Sequence, residues 1–142
     1  EDNDLHPVGK KDVGFRLAMQ VAPMLYGLEV ECSGPQIREV KTQCTNKEQG
    51  EYVITLVCEE CTGGMYAFSR EKGKFVDDIE VIDETGNSYR VKVTLEENKI
   101  ILNCGGILEK PLAVRYCYSN TNKGALIYNR AGFPMSPFVI RL

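Results

Sequence analysis

From Leu28 onward, the apolar residues of the chain recur at every second position, which is the spacing of strands that bury one face. The clearest run is residues 89–95, where tyrosine, valine and leucine alternate with arginine, lysine and threonine. Residues Glu51–Glu59 alternate in the same way, with Ile54 and Leu56 on one face. Strands of this kind pack one face on a core and expose the other to water, so the pattern predicts antiparallel sheets.

Several other short segments have the same alternation. Further strands are predicted at residues 79–83, 99–103, 112–118 and 138–142. Residues 84–87, which include Gly86, are predicted to form the loop of a hairpin between 79–83 and 89–95. About seven or eight short strands at this spacing predict a mainly β fold, an antiparallel β-sandwich of the jelly-roll kind.

The residues before Leu28 have a helical period instead. Val13, Leu17, Val21 and Leu25 are spaced four apart, which predicts a helix over residues 7–26 that ends near Gly27. Gly14 lowers helix stability, so we expect it to mark a close packing contact. The change of period predicts a first segment at 1–28 and a β domain at 29–142. We expect the β domain to bury the apolar stripe of the helix.

The charge and composition of the chain limit the classes of partner that it can bind. The net charge is -3, which gives no basic footprint for nucleic acid or for an anionic membrane surface. No apolar run approaches the roughly 18–20 residues that span a bilayer. We therefore expect neither a nucleic-acid nor a membrane partner. The sequence does not determine the cellular compartment; a bacterial cytoplasm is weakly favoured over a periplasmic or secreted location.

The cysteines leave several interpretations open. There are six, at positions 32, 44, 58, 61, 104 and 117. Six cysteines allow 15 pairings, and the sequence does not choose among them. Cys58 and Cys61 could be half of a zinc site or a redox pair, but no second pair has metal spacing. We favour buried thiols and an ordinary hairpin at Cys58, and we expect no cofactor and no metal.

Three segments, taken in order, carry a family resemblance. The first is DLHP at residues 4–7, followed by VG at 13–14 and RLA at 16–18. The second is PLAVRY at 111–116, and the third is ALIYN at 125–129 with GFPMSPF at 132–138. They resemble the end of the catalytic domain, a strand of the C-terminal β domain and the closing tail of the sialate O-acetylesterases, which are SGNH hydrolases.

The resemblance implies a serine esterase that removes acetyl groups from sialic acid. It implies that His6 is the catalytic base and that Asp4 orients it, with Asp2 or a backbone carbonyl as the alternatives. None of the five serines lies in the turn that carries the family's nucleophile. We therefore expect a C-terminal fragment, inactive alone, whose helix is left over from the α/β catalytic domain. Its partners would be the missing N-terminal catalytic portion and an acetylated sugar.

Two alternatives remain. One is a carbohydrate-binding β-sandwich without catalysis, in which exposed aromatic rings stack on sugars; the candidate rings are those of Tyr116, Tyr118, Tyr128, Phe133 and Phe138. The strand pattern places Tyr116 and Tyr118 on one face with Val114, which favours a core position for at least one of the two tyrosines. It directs Arg115 to the opposite face, where we expect an acidic partner. The other alternative is an esterase with the same fold that acts on acetylated plant polysaccharide such as xylan.

Overall fold

A computed structural model describes residues 9–69, 76, 78–119 and 124–142. In these residues one helix precedes a series of strands. The helix is α1 (Lys10–Tyr26), and the strands are β1 (Gln36–Asn46), β2 (Glu51–Glu59), β3 (Met65–Phe68), β4 (Ile79–Asp83), β5 (Ser88–Arg90), β6 (Lys92–Glu96), β7 (Lys99–Gly105), β8 (Pro111–Tyr116), β9 (Leu126–Asn129) and β10 (Phe138–Arg141). The chain is mainly β, as predicted.

The strands form antiparallel sheets that enclose one core. One four-stranded sheet has the order β1-β2-β7-β6, a second has the order β10-β8-β4-β5, and β3 pairs with β9. Ile54 and Leu102 from the first sheet join Val81 and Val114 from the second in one buried cluster. Burying each such side chain stabilises the fold by about 1.5–3 kcal/mol. The predicted antiparallel β-sandwich is confirmed.

The predicted strand at residues 89–95 is interrupted at Val91. Its first part, β5, pairs with β4, whereas its second part, β6, pairs with β7 in the other sheet. The predicted hairpin across residues 84–87 is therefore correct only for β5. A strand that changes sheets at a corner keeps its inward and outward alternation, because Tyr89, Val91, Val93 and Leu95 all pack against the core. The alternation alone could not reveal the corner.

The helix ends where the sequence predicts. Gly27 adopts a left-handed conformation with φ 63°, and its N–H donates to the carbonyl oxygen of Pro23. The predicted close contact at Gly14 is wrong, since among the described residues nothing outside the helix's own backbone comes within 4 Å of the position a Cβ would take there. Among the described residues, no helix is long and apolar enough to cross a membrane.

The predicted burial of the helical stripe is also wrong. None of the residues of α1 is buried, and Val13, Leu17 and Val21 are 51%, 59% and 42% exposed. The half-buried residues of α1 include Arg16 and Met19, which a helical period places on the face opposite the stripe. The stripe therefore faces water, and most of the half-buried positions on the other sides of α1 are apolar as well.

Candidate functional site

Asp4 and His6, the predicted catalytic pair, lie outside the described residues. Their proximity and their roles stay predictions. The described chain begins at Gly9 and enters α1 at the next residue. The site that can be described from contacts is therefore the region that follows the histidine in the sequence. It consists of α1, the connection to β1 (residues 27–35), and the surfaces that contact both.

Most of the large apolar side chains of α1 are exposed. These residues are at least 42% exposed; they are Val13, Phe15, Leu17, Val21, Met24, Leu25 and Tyr26. Leu28 and Val30 continue the exposed apolar surface into the connection. The helical period places Phe15 and Tyr26 on a different side from the Val13–Leu17–Val21 stripe, so apolar side chains are exposed on more than one side of α1. Exposed apolar surface of this extent is typical of an interface with another protein segment.

The connection between α1 and β1 is anchored at several points. One carboxylate oxygen of Glu31, Oε1, accepts a hydrogen bond of 2.6 Å from the backbone N–H of Thr62. Gly34 packs so closely on the tail before β10 that a Cβ would lie 1.9 Å from the carbonyl oxygen of Pro134. Only glycine fits at this crossing of two backbones.

Asn129, at the end of β9, is a buried residue whose side chain hydrogen-bonds to the connection. Its side chain has 0% exposure. Nδ2 donates to the carbonyl oxygens of Ser33 and Glu60, both at 2.9 Å, and lies 3.5 Å from Oε2 of Glu31. Oδ1 accepts from the N–H of Phe133 at 2.9 Å. The sequence analysis did not single out this residue, because its partners are 69 and 96 positions away.

The neighbouring Tyr128 lies on the opposite face of β9 and contacts α1. Its ring stacks on that of Tyr66 in β3, with 5.7 Å between the centroids. The guanidinium of Arg16 lies 5.9 Å from the centre of the Tyr128 ring, and that of Arg130 lies 5.4 Å from the centre of the Tyr66 ring. Cation–π contacts of this length attract. The β3–β9 ribbon therefore contacts the helix directly.

The candidate sugar-binding rings divide between core and surface. Tyr116 is fully buried, its hydroxyl accepts a hydrogen bond of 2.9 Å from the N–H of Ile127, and burial raises its pKa. Phe133 is buried as well, and Phe138 packs on Tyr116 with 5.5 Å between ring centroids. The prediction that at least one of Tyr116 and Tyr118 lies in the core is confirmed by Tyr116. Tyr118, which is 69% exposed, is available for stacking on a ligand.

Arg115 has the acidic partner that the strand pattern predicts. Its Nε donates to Oε2 of Glu80 at 2.6 Å, and its Nη2 donates to the hydroxyl of Ser88 at 3.1 Å. The same guanidinium lies 5.3 Å from the centre of the Tyr118 ring. Since Glu80 and Ser88 lie on β4 and β5, this network joins three neighbouring strands on the outer face of their sheet.

No disulfide joins the six cysteines, all of which lie among the described residues. Burial raises the pKa of Cys58 to about 12 and that of Cys104 to about 11, and it also raises the pKa of Cys61. The thiol of Cys61 donates to the carbonyl oxygen of Cys58 at 3.5 Å, within the turn after β2. Thiols with raised pKa values are poor nucleophiles and poor metal ligands at neutral pH. No cluster of three metal-ligating side chains occurs among the described residues.

Among the described residues, several open grooves lie on the surface of the sandwich, and two of them border the elements of the candidate site. The larger, of about 750 Å³, lies between β3 and β6 and is lined by residues that include Tyr66, Phe68 and Val93. The smaller, of about 390 Å³, lies between the connection and β10. The lining of the larger groove is mainly apolar.

Comparisons with known proteins match this chain to a solved structure. No model of a protein family and no curated protein matches the chain. The crystal structure of XAC1771, a novel carbohydrate acetylesterase from Xanthomonas citri, matches 96% of this chain with a TM-score of 0.75 and 25% identity. The chain spans 29% of that acetylesterase. The part of the chain left out is shorter than α1, so the match includes helix and strands. The fold is that of a carbohydrate-esterase-like domain.

Proposed function

We propose that the chain is the C-terminal part of an SGNH-type carbohydrate O-acetylesterase that hydrolyses O-acetyl esters of sialic acid. The observation that carries this proposal is the match with the acetylesterase, which includes both α1 and the sheets. The motifs at residues 4–7, 111–116 and 125–138 add the resemblance to sialate O-acetylesterases. The match and the motifs support the same class of reaction.

The exposed side of α1 supports the division of the chain. In the proposal, residues 1–28 are the last segment of the catalytic domain and residues 29–142 are the β domain. The N-terminal catalytic portion then covers the apolar surface of α1, which is in water in this chain. The short span of the match, 29% of the acetylesterase, fits a chain that is completed by a larger portion.

The proposed reaction divides its groups between the two portions. A serine hydroxyl of the N-terminal portion attacks the acetyl carbonyl carbon, and His6 takes the serine proton. The bond between the acetyl carbonyl carbon and the sugar oxygen breaks, which leaves the acetyl group on the serine. The imidazolium gives its proton to the departing sugar oxygen, which leaves as a hydroxyl. Water, deprotonated by the same imidazole, then releases acetate from the serine. Asp4 orients the imidazole and stabilises its charged form.

Two related functions compete with this proposal. The description of the matched structure as a carbohydrate acetylesterase fits an enzyme for acetylated xylan equally well. A carbohydrate-binding module without catalysis draws support from Tyr118, whose ring is 69% exposed. Hydrolysis separates the enzymes from the binding module, and a comparison of 9-O-acetylated sialic acid with acetylated xylan separates the two enzymes.

The test is hydrolysis by a longer protein that includes residues 1–142. We expect release of acetate from 9-O-acetylated sialic acid, and a loss of about 10⁴-fold or more in kcat for His6→Ala. Asp4→Asn and Asp2→Asn form a matched pair, of which only the first should lower kcat strongly. Near-normal turnover by His6→Ala would exclude this histidine from the reaction.

A further inference from the structure

The connection between α1 and β1 is not a flexible tether. Glu31, Ser33 and Gly34 of this connection each contact the β domain, and the buried side chain of Asn129 donates a hydrogen bond to the carbonyl oxygen of Ser33. We infer that Asn129, with Glu31, forms a joint that fixes the direction of α1 relative to the β domain, and that Asn129 is thereby a positioning residue for ester hydrolysis. The catalytic half of this inference rests on the proposed function.

The hydrogen bonds of Asn129 leave no donor or acceptor of its side chain idle. The two carbonyl oxygens at 2.9 Å take both hydrogens of Nδ2, while Oδ1 takes the N–H of Phe133. These bonds join the connection, the turn after β2 and the tail before β10 through one buried group. An aspartate would offer no donor here when ionised, and a leucine would leave both carbonyl oxygens unpaired.

Glu31 and Gly34 add a second and a third anchor. Oε1 of Glu31 accepts the N–H of Thr62 at 2.6 Å, so its carboxylate ties the connection to the turn after β2, while Oε2 lies 3.5 Å from Nδ2 of Asn129. Gly34 lies against Pro134 with no room for a side chain. Three anchors over four residues remove the freedom that a linker between domains ordinarily has.

Tyr128 adds a contact between the β domain and the helix itself. It precedes Asn129 on β9 and faces outward, where the guanidinium of Arg16 lies 5.9 Å from its ring. Two successive residues of one strand therefore hold the connection on one face and α1 on the other. In the proposed enzyme, His6 directly precedes α1 and the serine comes from a distant part of the chain. How firmly α1 is held then affects the distance between base and nucleophile.

The joint can be tested on the 142-residue chain by ¹⁵N relaxation. Asn129→Asp places an oxygen where Nδ2 faces two carbonyl oxygens. We expect the order parameters of residues 29–34 to fall from about 0.85 to below about 0.6, while those of β2 and β7 do not change. Asn103→Asp is the matched control, because exposed Asn103 only accepts a hydrogen bond, from the N–H of Gly105, and aspartate can accept it too.

A second variant covers the case in which Asn129→Asp does not fold. Glu31→Ala removes an anchor from a half-exposed position outside the sheets, and we expect the same fall in order parameters at residues 29–34. Order parameters that stay near 0.85 in the folded variants, as in the wild type, would overturn the joint.

The catalytic role is tested in the longer esterase. We expect Asn129→Asp or Glu31→Ala to lower kcat by about tenfold to a hundredfold with KM almost unchanged, at a temperature where the protein is folded. Asn103→Asp should leave both constants unchanged. A loosened connection with normal kcat would overturn the positioning role. If the wild-type longer protein hydrolyses no acetyl ester, the proposed function fails and the positioning role fails with it. The ¹⁵N order parameters of residues 29–34 would still show whether Asn129 and Glu31 hold the connection.

Discussion

Asp83 is a fully buried carboxylate at the end of β4 that organises the hairpin after it. Its Oδ1 accepts hydrogen bonds from the hydroxyl and N–H of Thr85, at 2.6 and 3.0 Å, and from the N–H of Asn87 at 3.2 Å. The hydrogen bond from the Thr85 hydroxyl is the main cause that holds the pKa of Asp83 below its usual range, against an opposing effect of burial. The ionised form therefore favours the folded state.

This predicts how stability depends on pH. Because the pKa is lowered in the folded state, the contribution of Asp83 is fully present above its unfolded pKa of about 3.9 and is lost as the pH falls through the folded value. We expect Asp83→Asn to be less stable than the wild type at pH 7 in urea unfolding, with a difference that shrinks towards about pH 2. Glu84→Gln, at the exposed neighbouring position, is the control. A difference that is the same at every pH would contradict the assignment.

Tyr116 and Tyr118 are a matched pair two residues apart in opposite environments. The buried hydroxyl of Tyr116 is the partner of the N–H of Ile127, so Tyr116→Phe leaves a buried donor unpaired. We expect Tyr116→Phe to lower the free energy of unfolding by about 1–3 kcal/mol. Tyr118→Phe should change it by less than about 0.5 kcal/mol, since that ring is mostly exposed. Equal effects in urea unfolding would contradict the assignment of Tyr116 to the core.

At the scale of elements, the alternation predicted the central strands better than the edge strands. β2 and β4 have the predicted bounds because each places a regular apolar face on the core. β1 was missed, because it is an edge strand with two irregularities in its pairing and no buried residue. β3 and β9 were missed because they are short and pair across 57 or more residues of sequence, which no local pattern records.

The exposed side of α1 gives a prediction about its partner. Leu17 is 59% exposed in this chain, so Leu17→Glu should change the free energy of unfolding of the chain alone by less than about 0.5 kcal/mol. In the longer protein the same change would bury an unpaired charge, and we expect a loss of more than about 2 kcal/mol. Gln20→Glu adds the same charge beside the stripe, and we expect it to lower the free energy of unfolding of neither the chain alone nor the longer protein. A large effect in the chain alone would mean that the stripe packs on the sheets in solution.

At the scale of the whole molecule, the sequence predicted the fold class and the order of its parts but not how the parts are joined. The joint depends on Asn129 and its partners from three separated segments, and an asparagine after Tyr128 carries no local sign of burial. The stripe of α1 was recognised, but its direction was not, because a helical period shows which residues share a face and not what the face meets. The catalytic pair itself, Asp4 and His6, stays a prediction.

The proposed division of the active site predicts complementation between two pieces. The N-terminal portion would supply the serine and its oxyanion-stabilising donors, while this chain would supply His6 and the surface of α1 that binds the other piece. We expect neither piece alone to hydrolyse an acetyl ester, and we expect the mixture to do so with a rate that saturates with the concentration of this chain. His6→Ala should abolish the rate at saturation, whereas Leu17→Glu should raise the concentration needed to reach it. Hydrolysis by the N-terminal piece alone would place a complete catalytic set outside this chain, and the histidine would then have no role in turnover.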